Sequence, residues 1–217
     1  EDANATGDLD ILESIIIQGA GSGSTIIQAG TNNTNGIDKV IAVNPICTSV
    51  VNATIDGVTI RYGYNSQLIT APDFSFSGGG IDYCAGGGGG IFTLSNSIVS
   101  DNTNVNGYGG GLNTDAASTP SYTVNITNVT FQNNRTLTLV NTGTGGAINI
   151  WGDEVTATIS GSTFTGNTTA NPTSGGGAIY FRPSSYAVVP TSSLNISNST
   201  FSSNTAAGIG GAIATNT

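Results

Sequence analysis

The sequence contains no histidine and no methionine, and only four of its 217 residues are Lys or Arg. Histidine is the commonest general acid or base and a frequent metal ligand, so its absence excludes Ser–His and Cys–His nucleophiles. With thirteen Asp and Glu, the net charge is −9. This charge excludes nucleic-acid binding through a basic surface and argues against docking on an anionic membrane. Any catalysis would have to use carboxylates.

Long apolar runs are also missing. No segment approaches the ~18 consecutive apolar residues that a membrane span needs, so we expect no membrane insertion. Charged residues make up 8% of the chain, whereas Gly, Asn, Ser and Thr together make up about half of it. Such low complexity is typical of disorder, but an apolar content of 37% with many β-branched residues favours a folded chain. We expect residues 1–217 to form a single domain.

Two sequence phrases recur along the chain. In the first, an apolar residue is followed three positions later by Asn, most clearly at Phe131, Phe164 and Phe201. In the second, a pair of glycines precedes a small residue and then Ile or Leu. The apolar anchors, 32 to 44 residues apart, are Ile16, Ile60, Val99, Phe131, Phe164 and Phe201. The glycine pairs begin at Gly78, Gly109, Gly145, Gly176 and Gly210.

Each period contains three short alternations of apolar and polar residues, bounded by Gly, Asn, Asp or Ser, and none has helical spacing. Three strands per period predict an all-β protein, a single-stranded parallel β-helix of about six turns. At ~4.8 Å per turn, the coil would be a rod of roughly 30 Å. A β-propeller also has periods of about 40 residues, but it expects four strands and its own aromatic signature in each blade.

Equivalent residues of successive turns should lie above one another. The apolar anchors are predicted to form one inward column. The Asn residues three positions later are predicted to form a ladder at a corner, because Asn tolerates left-handed backbone and bonds neighbouring amides. These residues are Asn102, Asn134, Asn167 and Asn204. The paired glycines are predicted to supply a corner with positive φ. We assign no chemistry to these columns.

The phrases Gly-Gly-Ala-Ile and Phe-x-x-Asn resemble the paired repeat motifs of the chlamydial polymorphic outer-membrane proteins. The opening, Gly7–Ile11 followed by Ile17–Ile27, is similar to large bacterial secreted β-helix proteins that carry a CSLREAI segment near their N-terminus. That segment and an autotransporter barrel are missing here. The resemblance implies a right-handed coil, secretion and display at the cell surface. It implies no catalytic residue.

The chain starts and stops inside the repeat pattern, and neither end has an obvious capping repeat. A solenoid needs such caps to protect its open ends. Two interpretations remain open: the chain is part of a longer solenoid, which we favour, or it is a subunit that stacks end to end.

Cys47 and Cys84 are the only cysteines. Each follows a segment that reads as the first strand of its turn, and adjacent turns bring equivalent Cα atoms ~5 Å apart, within disulfide range. An extracellular location would permit the bond. We therefore predict a Cys47–Cys84 disulfide, with two free buried thiols as the alternative. Two thiolates without histidine lack further ligands, so no metal site is expected.

The strand after each glycine pair has outward positions that align between turns. Trp151 beside Tyr180 on the next turn is predicted to form a platform for stacking a sugar, with Asp115 and Arg182 flanking it. Pectin-lyase-like β-helices carry their polysaccharide groove on a sheet of this kind. The alternative is an aromatic pair that shields the sheet or lies beneath a loop.

Enzymatic chemistry is not expected. The four basic residues are spread over different turns, and Asp82 and Asp115 are offset by two positions on successive turns, so they should not face each other. Five acidic loop residues, Asp8, Asp10, Glu13, Asp153 and Glu154, are expected to form a solvated surface. Their oxygen ligands would suit Ca²⁺, but the nonapeptide pattern of calcium-binding β-rolls is missing.

The sequence thus predicts a non-catalytic, secreted or cell-surface β-helix without cofactor, acting as a spacer or adhesive module. Its partner would be an extracellular glycan or a cell-surface protein. One alternative is a carbohydrate-binding or polysaccharide-processing β-helix, and another is an extracellular fibre subunit that associates end to end. The predicted loops are Ser66–Ser77, Asn113–Ser121, Arg135–Thr144 and Phe181–Thr191.

Overall fold

The computed structural model describes residues 7–67, 77–116, 121–137, 144–183 and 191–215. These residues form a solenoid of short β-strands arranged in four parallel sheets, which confirms the predicted all-β fold. Within these ranges there is no helix of the length and apolar character needed to cross a membrane.

The strands are numbered along the chain, and the sheets are called A to D. Sheet A contains β1 (Leu9–Ile11), β4 (Ile41–Val43), β8 (Ile81–Ala85), β12 (Leu112–Ala116), β16 (Ile148–Gly152), β20 (Ile179–Pro183) and β24 (Ile213–Thr215). Sheet B contains β2 (Ile15–Gln18), β5 (Ala53–Asp56), β9 (Gly90–Ser95), β13 (Tyr122–Thr127), β17 (Val155–Ser160) and β21 (Ser193–Ser197). Sheet C contains β3 (Ile26–Gln28), β6 (Thr59–Arg61), β10 (Ile98–Ser100), β14 (Thr130–Gln132), β18 (Thr163–Thr165) and β22 (Thr200–Ser202). Sheet D contains β7 (Tyr64–Asn65), β11 (Thr103–Asn104), β15 (Arg135–Thr136), β19 (Thr168–Thr169) and β23 (Thr205–Ala206).

A full turn therefore has four strands, one from each sheet, rather than the three that the sequence predicts. The additional strand belongs to sheet D and is only two residues long, so it has no alternation that a sequence pattern could reveal. Strands β4 to β23 make five such turns, preceded by β1 to β3 and followed by β24. The predicted number of about six turns is close to this arrangement.

A column of aromatic rings fills the inside of sheet C, as predicted. Phe131 pairs with Phe164 and Phe164 with Phe201, and their rings are stacked at centroid distances of 5.0 and 4.6 Å. Val99 and Ile60 continue the column in register. The prediction is wrong at its first member, because Ile16 lies on sheet B and is 74% exposed. The residue that begins the column is Ile27, which pairs with Ile60. The first turn carries a three-Ile run, so apolar content alone could not identify the anchor.

The asparagine ladder lies at the corner between sheets C and D. The Nδ2 of Asn134 donates to the Oδ1 of Asn167 at 3.0 Å, and it also donates to the Val99 carbonyl at 2.8 Å. The Nδ2 of Asn102 donates to Asn134 and that of Asn167 donates to Asn204, both at 2.9 Å. The ladder is confirmed, but its residues are not the ones with left-handed backbone. Positive φ falls one residue earlier, at Asp101, Asn133, Gly166 and Ser203.

The two glycines of each pair have different structural roles at the corner before sheet A. Gly145 has a φ of 67°, in the left-handed region that glycine favours, and a Cβ there would collide with the Ile148 carbonyl oxygen. A Cβ on Gly146 would collide with the Gly177 carbonyl of the next turn. The pair thus turns the chain and lets successive turns approach closely.

The predicted loops fall largely outside the described residues, which omit 68–76, 117–120, 138–143 and 184–190. In three of the four predicted loops, the first residues belong to strands instead. The residues concerned are Asn113–Ala116 of β12, Arg135–Thr136 of β15 and Phe181–Pro183 of β20.

Replacing Asn134 with Ala should destabilise the fold strongly, because Asn134 is fully buried and the Nδ2 of Asn102 and the Val99 carbonyl each lose a bond to its side chain. A buried polar group left without a partner costs about 1–3 kcal/mol. Denaturant unfolding followed by Trp151 fluorescence measures the loss. Asn195→Ala, at an exposed strand position, is the matched control and should change stability by less than about 0.5 kcal/mol. Equal losses in the two variants would contradict the structural role of the ladder.

Candidate functional site

The outer face of sheet A carries the candidate residues. Side chains alternate between the two faces of a strand, so two columns point away from the core. In one column Asp82 pairs with Asn113, Asn113 with Asn149 and Asn149 with Tyr180. The second column pairs Cys84 with Asp115 and, further along, Trp151 with Arg182. The predicted alignment of outward positions is confirmed.

This outer face is largely buried rather than open. Asp82, Asn113, Asp115 and Tyr180 are between 0% and 6% exposed. Trp151 and Arg182 are partly exposed. The face therefore offers solvent contact mainly at its Trp151 end.

The disulfide between Cys47 and Cys84 is present, with the two Cα atoms 5.4 Å apart, and it confirms the prediction. Cys84 lies in β8, whereas Cys47 lies in the segment after β4, where its φ of 59° is left-handed. The Nδ2 of Asn44 donates to the carbonyls of Ser49 and Cys84, both at 2.8 Å. Asn44 thereby fastens the segment that carries Cys47 to the edge of β8.

A chain of side-chain hydrogen bonds follows the first outward column. The hydroxyl of Thr144 donates to the Oδ1 of Asn149 at 3.0 Å, and the Nδ2 of Asn149 donates to the Oδ1 of Asn113 at 2.8 Å. The Nδ2 of Asn113 donates to Asp82 at 2.9 Å and to Asp115 at 3.2 Å. One amide therefore holds both carboxylates.

At the N-terminal end of sheet A, acidic groups surround one buried lysine. The Nζ of Lys39 lies 3.8 Å from the Asp8 carboxylate, and both side chains are almost fully buried. Burial raises the pKa of Asp8 to about 6, against the attraction of Lys39. Burial also raises the pKa of Asp82 well above its usual range, with Lys39 opposing and Asp115 adding to the shift. The expectation of a solvated acidic surface is wrong for Asp8 and Asp153, which are 6% and 3% exposed.

The aromatic end of the face is built differently from the prediction. Trp151 pairs directly with Arg182, whose guanidinium carbon lies 5.0 Å from the indole centroid, a cation–π contact. Tyr108 also lies near the indole, at 6.5 Å between ring centroids. Tyr180 pairs with Asn149, and burial raises its pKa. Asp115 and Trp151 directly follow the paired residues Thr114 and Ile150, and the amide of Asn113 donates to the Asp115 carboxylate at 3.2 Å.

Sequence reasoning missed two members of this face. Lys39 directly precedes Val40 at the start of a turn, and nothing in the sequence shows that its ammonium is buried beside Asp8. Tyr108 lies in the glycine-rich segment before β12, and its contact with Trp151 depends on the path of that segment. No periodic signal marks either residue.

Among the described residues, one group of side chains brings three metal-ligating atoms together. The sulfurs of Cys47 and Cys84 and a carboxylate oxygen of Asp115 lie within 4.8 Å of one another. In the structure the two sulfurs form the disulfide, so they are not thiolate ligands. The carboxylates of Asp8, Asp10 and Asp82 form no such group.

Comparison with known proteins gives one match. Three segments, residues 128–150, 161–182 and 198–216, match the Chlamydia polymorphic membrane protein repeat. Each segment begins at a turn into sheet C and extends into a strand of sheet A, so the match follows the physical repeat. No curated protein and no solved structure matches the chain. The match supports a surface-exposed repeat protein; the resemblance to CSLREAI-associated proteins stays a prediction.

Asp8 should make the protein less stable as the pH rises from about 4 to about 6. An acid whose pKa is raised from 3.8 to about 6 by folding binds its proton more tightly in the folded state. Its contribution is therefore fully present below pH 3.8 and lost as the pH passes 6. The midpoint of thermal unfolding, measured as a function of pH, should therefore change less between pH 4 and pH 6 in Asp8→Asn than in the wild type. The expected difference is about a few degrees.

Asp56→Asn is the matched control. Hydrogen bonds from Ser95 and Asn96 lower the pKa of Asp56, so its contribution is lost only below pH 3.8. The slope between pH 4 and 6 should stay unchanged in this variant. An unchanged slope in Asp8→Asn would contradict the assigned pKa.

Proposed function

We propose that this chain is a non-catalytic spacer or adhesive module of a surface-exposed repeat protein. The observation that carries the proposal is the unbroken internal registry. The stacked rings of Phe131, Phe164 and Phe201 and the asparagine ladder join each turn to the next. Such columns favour a rigid rod, on which outward segments can be displayed. The match to a membrane-protein repeat supports a position at the cell surface.

The carboxylates of sheet A support a non-catalytic role. Glycoside hydrolysis requires an acid and a second carboxylate on either side of a bond that the substrate brings between them. Asp82 and Asp115 are instead buried, and the amide of Asn113 occupies the position between them. A sugar could not enter without breaking these hydrogen bonds.

The rod should remain monomeric if the spacer role is correct. Small-angle X-ray scattering over a range of concentrations should give one elongated shape whose maximum dimension does not grow. Growth with concentration would contradict the spacer and support the end-to-end fibre. Both ends of the described coil expose apolar side chains at inward positions: Leu9 is 39% exposed although its partner Ile41 is buried, and Ile213 is 38% exposed although its partner Ile179 is buried.

Two substitutions assign any growth to the ends. Ile213→Lys, at an inward position of the last strand of sheet A, would abolish growth through the end faces. Ile91→Lys, at a 47% exposed position in the middle of the rod, is the matched control and would leave such growth unchanged.

Carbohydrate binding at Trp151 is the second candidate function. Its supporting observation is the partly exposed indole, which has the Arg182 guanidinium and the Tyr108 ring near it. An aromatic face beside a guanidinium suits a sugar ring that bears a carboxylate, because the ring stacks and the charge pairs.

A glycan array tests this candidate. Binding should be retained in Ile91→Ser, which alters an exposed apolar residue on sheet B, and lost by at least tenfold in Trp151→Ala. Thermal unfolding of both variants checks that the fold is kept. Absence of binding to every polysaccharide, or equal binding by Trp151→Ala, would exclude a glycan site at Trp151.

A further inference from the structure

We propose that reduction of the disulfide creates a binding site for a thiophilic divalent cation, such as Zn²⁺ or Cd²⁺, on the outer face of sheet A. The site would lie where β8, β12 and the segment after β4 meet. The ligands would be the thiolates of Cys47 and Cys84 and the carboxylate of Asp115. The disulfide and the metal complex would be alternative states of one site.

The geometry carries the proposal. The two sulfurs and a carboxylate oxygen of Asp115 lie within 4.8 Å of one another, and this is the one such group among the residues that the structure describes. Asp115 pairs in register with Cys84 on the neighbouring strand, so the backbone of sheet A fixes the two side chains side by side. No third ligand for the thiolates is evident from sequence spacing, and the pairing of β8 with β12 supplies one in Asp115.

The surroundings hold these ligands in place. The Nδ2 of Asn113 donates to Asp115 at 3.2 Å and orients its carboxylate. Asn44 fastens the segment of Cys47 to β8 through bonds to Ser49 and Cys84 that do not involve the sulfurs. Hydrogen-bonding groups of this kind orient the residues that bind the metal and strengthen binding. They would persist after reduction, so the thiols should stay close together.

Burial and charge select the kind of cation. Cys84 and Asp115 are 5% and 4% exposed, whereas Cys47 is partly exposed and leaves a path from solvent. Two thiolates and a carboxylate would bring three negative charges to a poorly solvated place, which a divalent cation offsets. Thiolate ligands favour Zn²⁺ and Cd²⁺ over Ca²⁺ and Mg²⁺. Three protein ligands leave a fourth tetrahedral position for water.

The steps balance as follows. An external phosphine or dithiol supplies two electrons, and two protons from water complete the two thiols as the sulfur–sulfur bond breaks. The cation then displaces both thiol protons to solvent and binds the thiolates and the carboxylate. Reoxidation requires loss of the cation, because a sulfur bonded to sulfur is no longer a thiolate ligand.

Cadmium titration of the phosphine-reduced protein tests the proposal. Ultraviolet absorption of the cadmium–thiolate bonds should saturate at one Cd²⁺ per chain, and calorimetry should give the same stoichiometry. The oxidised protein should show neither signal. Asp115→Asn should weaken binding by at least tenfold, whereas Asp8→Asn, which removes a buried carboxylate outside the group, should change it less than threefold.

Circular dichroism of the same samples shows whether the reduced protein and its variants remain folded. If the reduced chain unfolds, Cd²⁺ should restore its β spectrum, because metal binding then contributes to folding. The Cd²⁺ concentration needed should be lower for the wild type than for Asp115→Asn. Three results would overturn the proposal: no saturable binding by the reduced chain, equal binding by the double variant Cys47→Ser/Cys84→Ser, or equal affinity in Asp115→Asn.

Discussion

The asparagine ladder at the corner of sheets C and D is the constraint on which the rest of the fold depends. Asn102, Asn134 and Asn167 each donate both to the ladder residue of the next turn and to a carbonyl of the preceding turn, as the Asn134 amide does with Asn167 and Val99. A slip of one turn by a single residue would break these bonds and also turn the inward column outward. The ladder therefore sets the register that every sheet shares.

The outer face of sheet A follows from that shared register. With inward positions occupied by apolar columns, the alternate residues of each strand must point out and stack on their own equivalents. Asp82, Asn113 and Asn149 consequently form one hydrogen-bonded series, although they come from three separate turns. The same rule brings Cys84 beside Asp115 and Trp151 beside Arg182. The candidate sites are products of stacking rather than of local sequence motifs.

Periodic features could be read from the sequence because each turn repeats them. Phe131, Phe164 and Phe201 mark equivalent positions, and Gly145 marks a corner whose φ only glycine adopts readily. The disulfide was predictable because the two cysteines belong to successive turns, although their positions are not equivalent: Cys84 lies in β8, directly after the Val43–Tyr83 pair, and Cys47 lies four residues beyond Val43. Ile16 was misassigned because the first turn has two runs of isoleucine, Ile15–Ile17 in β2 and Ile26–Ile27 in β3, and only the pairing of Ile27 with Ile60 shows which run belongs to the column. The contacts of Lys39 and Tyr108 depend on non-repeating segments, so no period reports them.

The bond between Cys47 and Cys84 joins two positions 37 residues apart in the chain but adjacent along the rod. A surface rod bears load when the bodies at its two ends are pulled apart. Turns of a solenoid then detach one after another, because each is held chiefly by its neighbours. The covalent link would carry a pulling force directly from Cys47 to Cys84. The residues between the two cysteines could then not be extended by that force. In its oxidised form this stretch would act as the inextensible part of the rod.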